Sequence, residues 1–237
     1  MSKLKKAIKD YLDTHPSAKQ RFLKVLFRRK PYQTRLKGIF WLVTILPKYF
    51  MRGICLSARL DLVPFNKFRF GKYAKLEKNV VVNNGMGDVI IEDEVQVGIG
   101  CVLIGPIKIG KYSGLSQYVR LLGMHHGIDP IAPHHHLPCD TAPIELGEDV
   151  FIGTGTGVMG KKNGEPLKRG DYCRIGANSV VMEDVPPYSI AVGNPARVVR
   201  KWDFTENKWV KPSDEANVEI YPDLVSPLKQ KTKDYYW

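Results

Sequence analysis

Aliphatic residues return every six positions through the middle of the chain. Counting in sixes from Ile91 reaches Val97, Leu103, Ile109, Leu115 and Leu121. The same step links Leu146, Ile152 and Val158, then Ile175 and Val181, and upstream it links Phe70, Leu76 and Val82. Glycine directly follows the aliphatic position at Gly98, Gly110, Gly147, Gly153 and Gly176. A six-residue period matches neither the 3.6-residue period of an amphipathic helix nor the two-residue alternation of a strand. It matches a coil of short strands, each turning one aliphatic side chain inward, with a corner every six residues. Glycine suits a corner where the backbone turns sharply or passes close to a neighbour. Three hexads close one triangular coil. A single coil cannot bury its own inward face, so coils must stack into a solenoid around a continuous aliphatic ladder.

The interruptions carry as much information as the period. Phase is lost between Leu121 and Leu146, across LGMHHGIDPIAPHHHLPCDTAPIE. A shorter break, GKKNGEPL, separates Val158 from Ile175, and the phase resumes near Arg169. A small break over NNGMGDV, residues 83–89, reads as a third loop. Insertions in a solenoid leave as loops on its outside, where binding and chemistry concentrate.

Two stretches, IELGEDVFIGTGTGVMG (144–160) and RIGANSVVMEDVPPYSIAVGNPARVVR (174–200), resemble the hexapeptide-repeat acyltransferases. The VPP…GNPARVVR segment is a specific end-of-helix signature of that family. Upstream, ARLDLVPFNKFRFGKYAKLEKNVVVNNGMGD is similar to the lead-in segment of a subgroup found in bacterial polysaccharide gene sets. The resemblance spans residues 58–202. It implies a mainly β fold, a left-handed parallel β-helix, assembled as a homotrimer with acetyl-CoA in the groove between subunits. Residues 1–57 form a basic, partly helical arm outside the likeness, 58–202 the acyltransferase domain with an external loop at 122–145, and 203–237 a C-terminal extension.

Acyl transfer from a thioester to a hydroxyl needs a base, a stabilised oxyanion and aligned substrates. Histidine suits the first task because its ordinary pKa leaves it largely neutral near pH 7. Five of the six histidines fall in the long break: His125, His126, His134, His135 and His136. The family's base is a loop histidine in a G-x-x-H pattern, which falls on Gly123-Met124-His125-His126. The ungapped match selects His126, and a one-residue shift selects His125. Asp129 suits either a partner orienting the imidazole or the first residue of a turn with Pro130. Three consecutive histidines at 134–136 project alternately, a poor geometry for one ion, so no metal is expected.

For the cofactor, the resemblance places the coenzyme A phosphates on Arg197 and Arg200, with Lys201 as a further candidate, because phosphate recognition calls for guanidinium or ammonium groups. Thr154 and Ala177 match positions lining the pantetheine arm. Phe151 stands where the family more often has Trp. Lys161 and Lys162, in the second insert, either reach the nucleotide or remain solvated.

Charge adds one feature. Of the net +12, residues 1–60 supply +13, from 15 Lys and Arg against Asp10 and Asp13. The remainder is close to neutral. A segregated basic arm containing IFWLVTIL, residues 39–46, suits peripheral contact with a membrane surface or packing against the main domain. That stretch is too short to span a bilayer, which takes about 20 residues. The first 30 residues are too charged for a signal peptide, and four dispersed cysteines fit reduced thiols, so a cytoplasmic protein is expected. No aromatic interleaving points to nucleic acid.

The expected function is acetyl-CoA-dependent O-acetylation of a sugar or surface-polysaccharide precursor. N-acylation of an amino sugar uses the same base and stays open. A β-helix carbonic anhydrase or a silent scaffold fits less well with the GNPARVVR tail and the loop histidine.

Overall fold

The structure, a computed structural model, describes residues 53–212 together with residues 10, 11, 14 and 15. The IFWLVTIL stretch, nearly all of the basic arm and the C-terminal extension beyond residue 212 lie outside the described residues.

The expected left-handed parallel β-helix is the architecture found, with about six turns. Three parallel sheets form the faces of a triangular prism. Face I stacks β2 (Phe68–Phe70), β5 (Val89–Ile91), β8 (Ile107–Ile109), β13 (Ile144–Leu146) and β16 (Leu167–Arg169). Face II stacks β3 (Lys75–Leu76), β6 (Gln96–Val97), β9 (Gly114–Leu115), β14 (Phe151–Ile152), β17 (Arg174–Ile175) and β19 (Ser189–Gly193). Face III stacks β1 (Arg59–Asp61), β4 (Val81–Asn83), β7 (Val102–Ile104), β10 (Arg120–Leu122), β15 (Gly157–Met159) and β18 (Val180–Val181). Two antiparallel strands, β20 (Ala196–Asp203) and β21 (Lys208–Val210), extend face II and close the C-terminal end.

The hexad positions are the inward ones. Val82, Leu103, Leu121, Val158 and Val181 line face III from within, and Leu76, Val97, Leu115, Ile152 and Ile175 line face II, all essentially buried. Each buried aliphatic side chain stabilises the fold by roughly 1.5–3 kcal/mol. Face I strands turn two residues inward, as with Ile107 and Ile109 or Ile144 and Leu146, with a polar residue such as Lys108 or Glu145 between them. Where the phase resumes, the inward residue is Arg169, paired beside Leu146 and 2% exposed. Its Nη1 donates to the carbonyls of Lys168 and Glu183, while Nε and Nη2 have no hydrogen-bond partner among the described residues. Burial pushes this guanidinium down to about 10.

Two edges of the prism are uniform. Every turn from face I to face II takes four residues: 71–74, 92–95, 110–113, 147–150 and 170–173. Every turn from face II to face III also takes four: 77–80, 98–101, 116–119, 153–156 and 176–179. The third residue of each of these turns has a positive φ, between 50° and 73°. Asn79, Gly100, Gly155 and Asn178 suit that left-handed conformation, but Tyr73, Tyr112, Tyr118 and Tyr172 do so at a steric cost. Ring packing offsets part of it for Tyr172, which stacks on Tyr188 with centroids 5.0 Å apart.

The third edge, from face III to face I, is irregular. Its connections run over 62–67, 84–88, 105–106, 123–143 and 160–166. All three breaks read from the sequence leave the prism there. Over 84–88 the buried Asn84 ties the loop down: its Oδ1 accepts from Val63 N–H at 2.6 Å, and its Nδ2 donates to the carbonyls of Val63 and Asn66.

Candidate active site

The long loop opens with β11 (Met124–His126) and returns as β12 (Cys139–Thr141), an antiparallel pair standing off the third edge. Between them His134–His136 form a single 3-10 turn. The hairpin is rooted by buried contacts, with Gly123 N–H donating to Ile104 O at 2.8 Å and Ala142 N–H to Gly123 O at 2.9 Å. A side chain at Gly123 would meet the Ile104 and Pro106 carbonyl oxygens at 2.7 Å, so glycine is required where the loop leaves.

Alternation along β11 turns its two histidines in opposite directions. His125 is half-buried, with Nε2 2.6 Å from Gly160 O. A carbonyl only accepts, so Nε2 carries the hydrogen and His125 ties the long loop to the start of the second insert. His126 is exposed, with Nδ1 3.1 Å from Cys139 Sγ. Asp129 Oδ1 accepts from Ile131 N–H at 2.9 Å, which is the turn role. The rings of His135 and His136 meet edge-on at 4.2 Å. Among the described residues no group of three or more His, Cys, Asp or Glu side chains is arranged to hold a metal ion.

The cofactor candidates lie on a different edge, where face II turns into face III. Thr154 and Ala177 occupy successive coils and are exposed. Thr154 Oγ1 is 2.8 Å from Ser116 Oγ and donates to Gln117 Oε1 at 3.1 Å. Asn178 N–H donates to Thr154 O at 2.8 Å, stacking the two corners. A Cβ on Gly153 would lie 2.5 Å from Ala177 N, so that corner admits only glycine. The next level of the column is Val192, since a Cβ on Gly176 would meet its Cγ1 at 2.6 Å. Val192 pairs with Arg197, continuing the line to the first phosphate candidate.

Arg197 and Arg200, three residues apart in one strand, would face opposite ways in regular pairing. A bulge intervenes. Arg197 opposes Val192 and Val198 opposes Ala191, but Arg200 opposes Ile190, so the register slips at Val199. The extra residue returns Arg200 to the same side as Arg197. Lys201 opposes the buried Ser189 and lies on the other side. Arg197 also sits 3.6 Å from Glu183, an exposed pair of small energetic weight. In the second insert Lys161 is 2.7 Å from Asp184. Desolvation raises the Asp184 carboxyl, but the Lys161 hydrogen bond, the Lys168 N–H and the Lys161 and Arg169 charges outweigh it and hold the carboxyl below its ordinary range.

The site candidates thus form two groups within one copy of the chain. The histidines stand at one end of the face III strands, and Thr154, Ala177 and Arg197 at the other. A face III strand of two or three residues, about 10 Å at most, lies between the two edges. Face III also has an apolar outer surface: Val81, Val102, Ile104, Leu122, Met159 and Val180 are half-buried and outward. The outer positions of face I are mostly charged, with Arg69, Lys108, Glu145 and Lys168. Sequence reasoning missed Cys139 beside His126, because residues 13 apart meet only through the hairpin register.

No protein-family model matches the chain. Over 141 residues, 60% of this chain, it is 32% identical to a Staphylococcus aureus (strain COL) protein bearing the name "Putative acetyltransferase SACOL2570". It is 40% identical over 73 residues to the serine acetyltransferase of Haemophilus influenzae, matching 31% of this chain and 24% of that one. The chain spans about three fifths of the length of the S. aureus relative, 61%. Among solved structures it is similar to AntD, an N-acyltransferase from Bacillus cereus in complex with dTDP and coenzyme A. That match has a TM-score of 0.55 at 16% identity, over 69% of this chain and 91% of the other. The fold is therefore the solenoid that the hexapeptide resemblance implied.

Proposed function

We propose that the chain is an acetyl-CoA-dependent O-acetyltransferase acting on a hydroxyl of a sugar or surface-polysaccharide precursor, with His126 as general base. The observation that carries this reading is the position of the two histidines. His125 spends Nε2 on a backbone carbonyl and acts as a clamp, whereas His126 is exposed on the external hairpin with its Nδ1 edge against the protein. The relative named as an acetyltransferase supports acetyl transfer as the reaction.

The chemistry follows from these roles. The acceptor hydroxyl oxygen attacks the thioester carbonyl carbon while His126 Nε2 takes the hydroxyl proton. The tetrahedral oxyanion draws hydrogen bonds from backbone N–H groups at a corner. It then collapses with cleavage of the carbon–sulfur bond, and the imidazolium returns the proton to the departing thiolate. Thr154 and Ala177 border the pantetheine arm, and Arg197 and Arg200 bind the phosphates.

The two groups of residues sit at opposite edges of face III, so one copy does not assemble this site. A second copy covering the apolar outer surface of face III brings the edge carrying Thr154, Ala177 and Arg197 toward the hairpin of its neighbour. This supports the homotrimer implied by resemblance, and we take residues 58–202 as its acyltransferase domain. Among the described residues no helix is long and apolar enough to cross a membrane. The basic arm, nearly all of it outside the described residues, suits either peripheral contact with a membrane surface or packing against the main domain.

The deciding experiment supplies acetyl-CoA with a panel of sugars and amino sugars and follows free thiol release. Turnover of a hydroxyl-only acceptor that drops about 10²- to 10⁴-fold in His126→Ala, but far less in His125→Ala, is the expected result. Turnover confined to amino sugars moves the assignment to N-acylation, and no thiol release with any acceptor removes it.

A further inference from the structure

The contact between His126 and Cys139 has the geometry of a base and its orienting partner. The two residues face each other across the antiparallel β11–β12 pair, and Cys139 Sγ lies 3.1 Å from His126 Nδ1. That is within hydrogen-bond reach for sulfur, which is larger than oxygen. Both backbones are held: the strand register pairs them, and Gly127 N–H donates to Pro138 O at 2.8 Å one step further along the hairpin. Cys139 is half-buried while His126 is exposed, so the sulfur sits on the protein side of the ring. Asp129, the carboxylate nearest in sequence, is committed to Ile131 N–H.

We infer that Cys139 is the positioning residue of the His126 imidazole: its sulfur accepts Nδ1–H, which fixes the ring's orientation and the tautomer that leaves Nε2 free to take up the acceptor's proton. The inference rests on His126 being the base. A neutral imidazole takes a proton at Nε2 only while its one hydrogen sits on Nδ1, so an acceptor at Nδ1 holds the ring in its reactive form before the transfer and keeps its partner after it. In a triad that acceptor is commonly a carboxylate, which adds a negative charge and raises the basicity of the ring. Cys139 differs. Its thiol is raised by burial first and by the charge of Asp140 second, so it stays neutral near pH 7. It orients the ring without placing a negative charge beside it.

The test compares Cys139→Ala and Cys139→Ser with the full-length wild type in two readouts. The first is steady-state acetyl transfer followed by loss of thioester absorbance, with kcat separated from the KM for acetyl-CoA. The second is nitrogen NMR of the His126 ring in isotope-labelled protein, which reports the balance of Nδ1–H and Nε2–H forms without any turnover. Cys139→Ala should lose about tenfold in kcat, the worth of one hydrogen bond to a charged group, with KM unchanged. Cys139→Ser, whose hydroxyl can take the same contact, should recover most of that loss. The ring nitrogen signals should change in the alanine variant and stay near wild type in the serine variant. Should the alanine variant not fold, Cys139→Val, closer in volume, takes its place. Unchanged ring signals in the variant lacking the thiol overturn the contact itself. An unchanged kcat with changed signals overturns its role in positioning. If wild type transfers acetyl to no acceptor, the positioning role falls with the base assignment, and the NMR result still shows whether sulfur and imidazole interact.

Discussion

Two edges of this prism obey one rule and the third obeys none. Between faces I and II, and between faces II and III, every coil turns in four residues with the third in the left-handed region. Between faces III and I the connections range from the two residues 105–106 to the long loop 123–143. The difference is one of constraint. A four-residue corner with a positive φ is stacked directly on the corner above, as Asn178 N–H on Thr154 O, so one added residue breaks the register of every later coil. A loop that leaves and returns at the same edge can lengthen at little cost, because loop closure entropy grows only slowly with length. Both histidines of interest, Cys139 and the second insert are found on the permissive edge. The cofactor candidates Thr154 and Ala177 are found on a strict one. A flat, invariant corner column suits an extended ligand, and a free hairpin suits a base that must reach out from the prism.

The sharpest way to break this contrast is insertion. Two residues added between Gln117 and Tyr118, in a strict corner, should abolish the cooperative melt or cost more than about 4 kcal/mol. Two residues added between Asn163 and Gly164, on the permissive edge, should change stability by less than about 0.6 kcal/mol. Equal effects in denaturant titrations would show that the edges do not differ. Next in size is truncation of the ladder between edges. Leu103→Ala empties a fully buried position and should cost about 3 kcal/mol in urea unfolding. A cost below about 1 kcal/mol would mean the ladder packs loosely there.

A smaller effect tests the left-handed residues themselves. Asn79 has a φ of 59°, which alanine adopts poorly and glycine readily. Asn79→Ala should lose about 1 kcal/mol, and Asn79→Gly should stay within a few tenths of wild type. A further effect is alkaline. Burial pushes Cys101 and Cys173, both in strict corners, up to about 11 from 9.0. Their contribution is whole below pH 9 and is lost toward pH 11, because the unfolded thiols ionise first and the folded ones resist. Melting temperature should therefore fall over that window less steeply in Cys101→Ala than in wild type. Equal slopes would place Cys101 in contact with water.

Much of the prism was legible in residue order because burial in a solenoid repeats at a fixed step. Phe70 to Val82, Ile91 to Leu121, Leu146 to Val158 and Ile175 to Val181 were all assigned inward by counting, and all are inward. Arg169 was the exception. The count reached it, but a cation at an aliphatic position gave no reason to place it inside, and only its two carbonyl partners show how it is accommodated.

The candidate site was less legible, since its parts meet through stacking and register rather than through spacing. The G-x-x-H pattern singled out His125 and His126 but could not separate them. The strand that turns one onto Gly160 O and the other onto Cys139 did so. Arg197 and Arg200 came from resemblance, yet the bulge that brings both to one side is absent from the letters. Periodicity is a local property: each hexad carries its own inward residue and its own corner. Contacts between loops depend on how far each insert travels before it returns, which is decided when the coils pack. The solenoid could therefore be written down from aliphatic spacing alone, while the division of labour between neighbouring histidines had to wait for three-dimensional contacts.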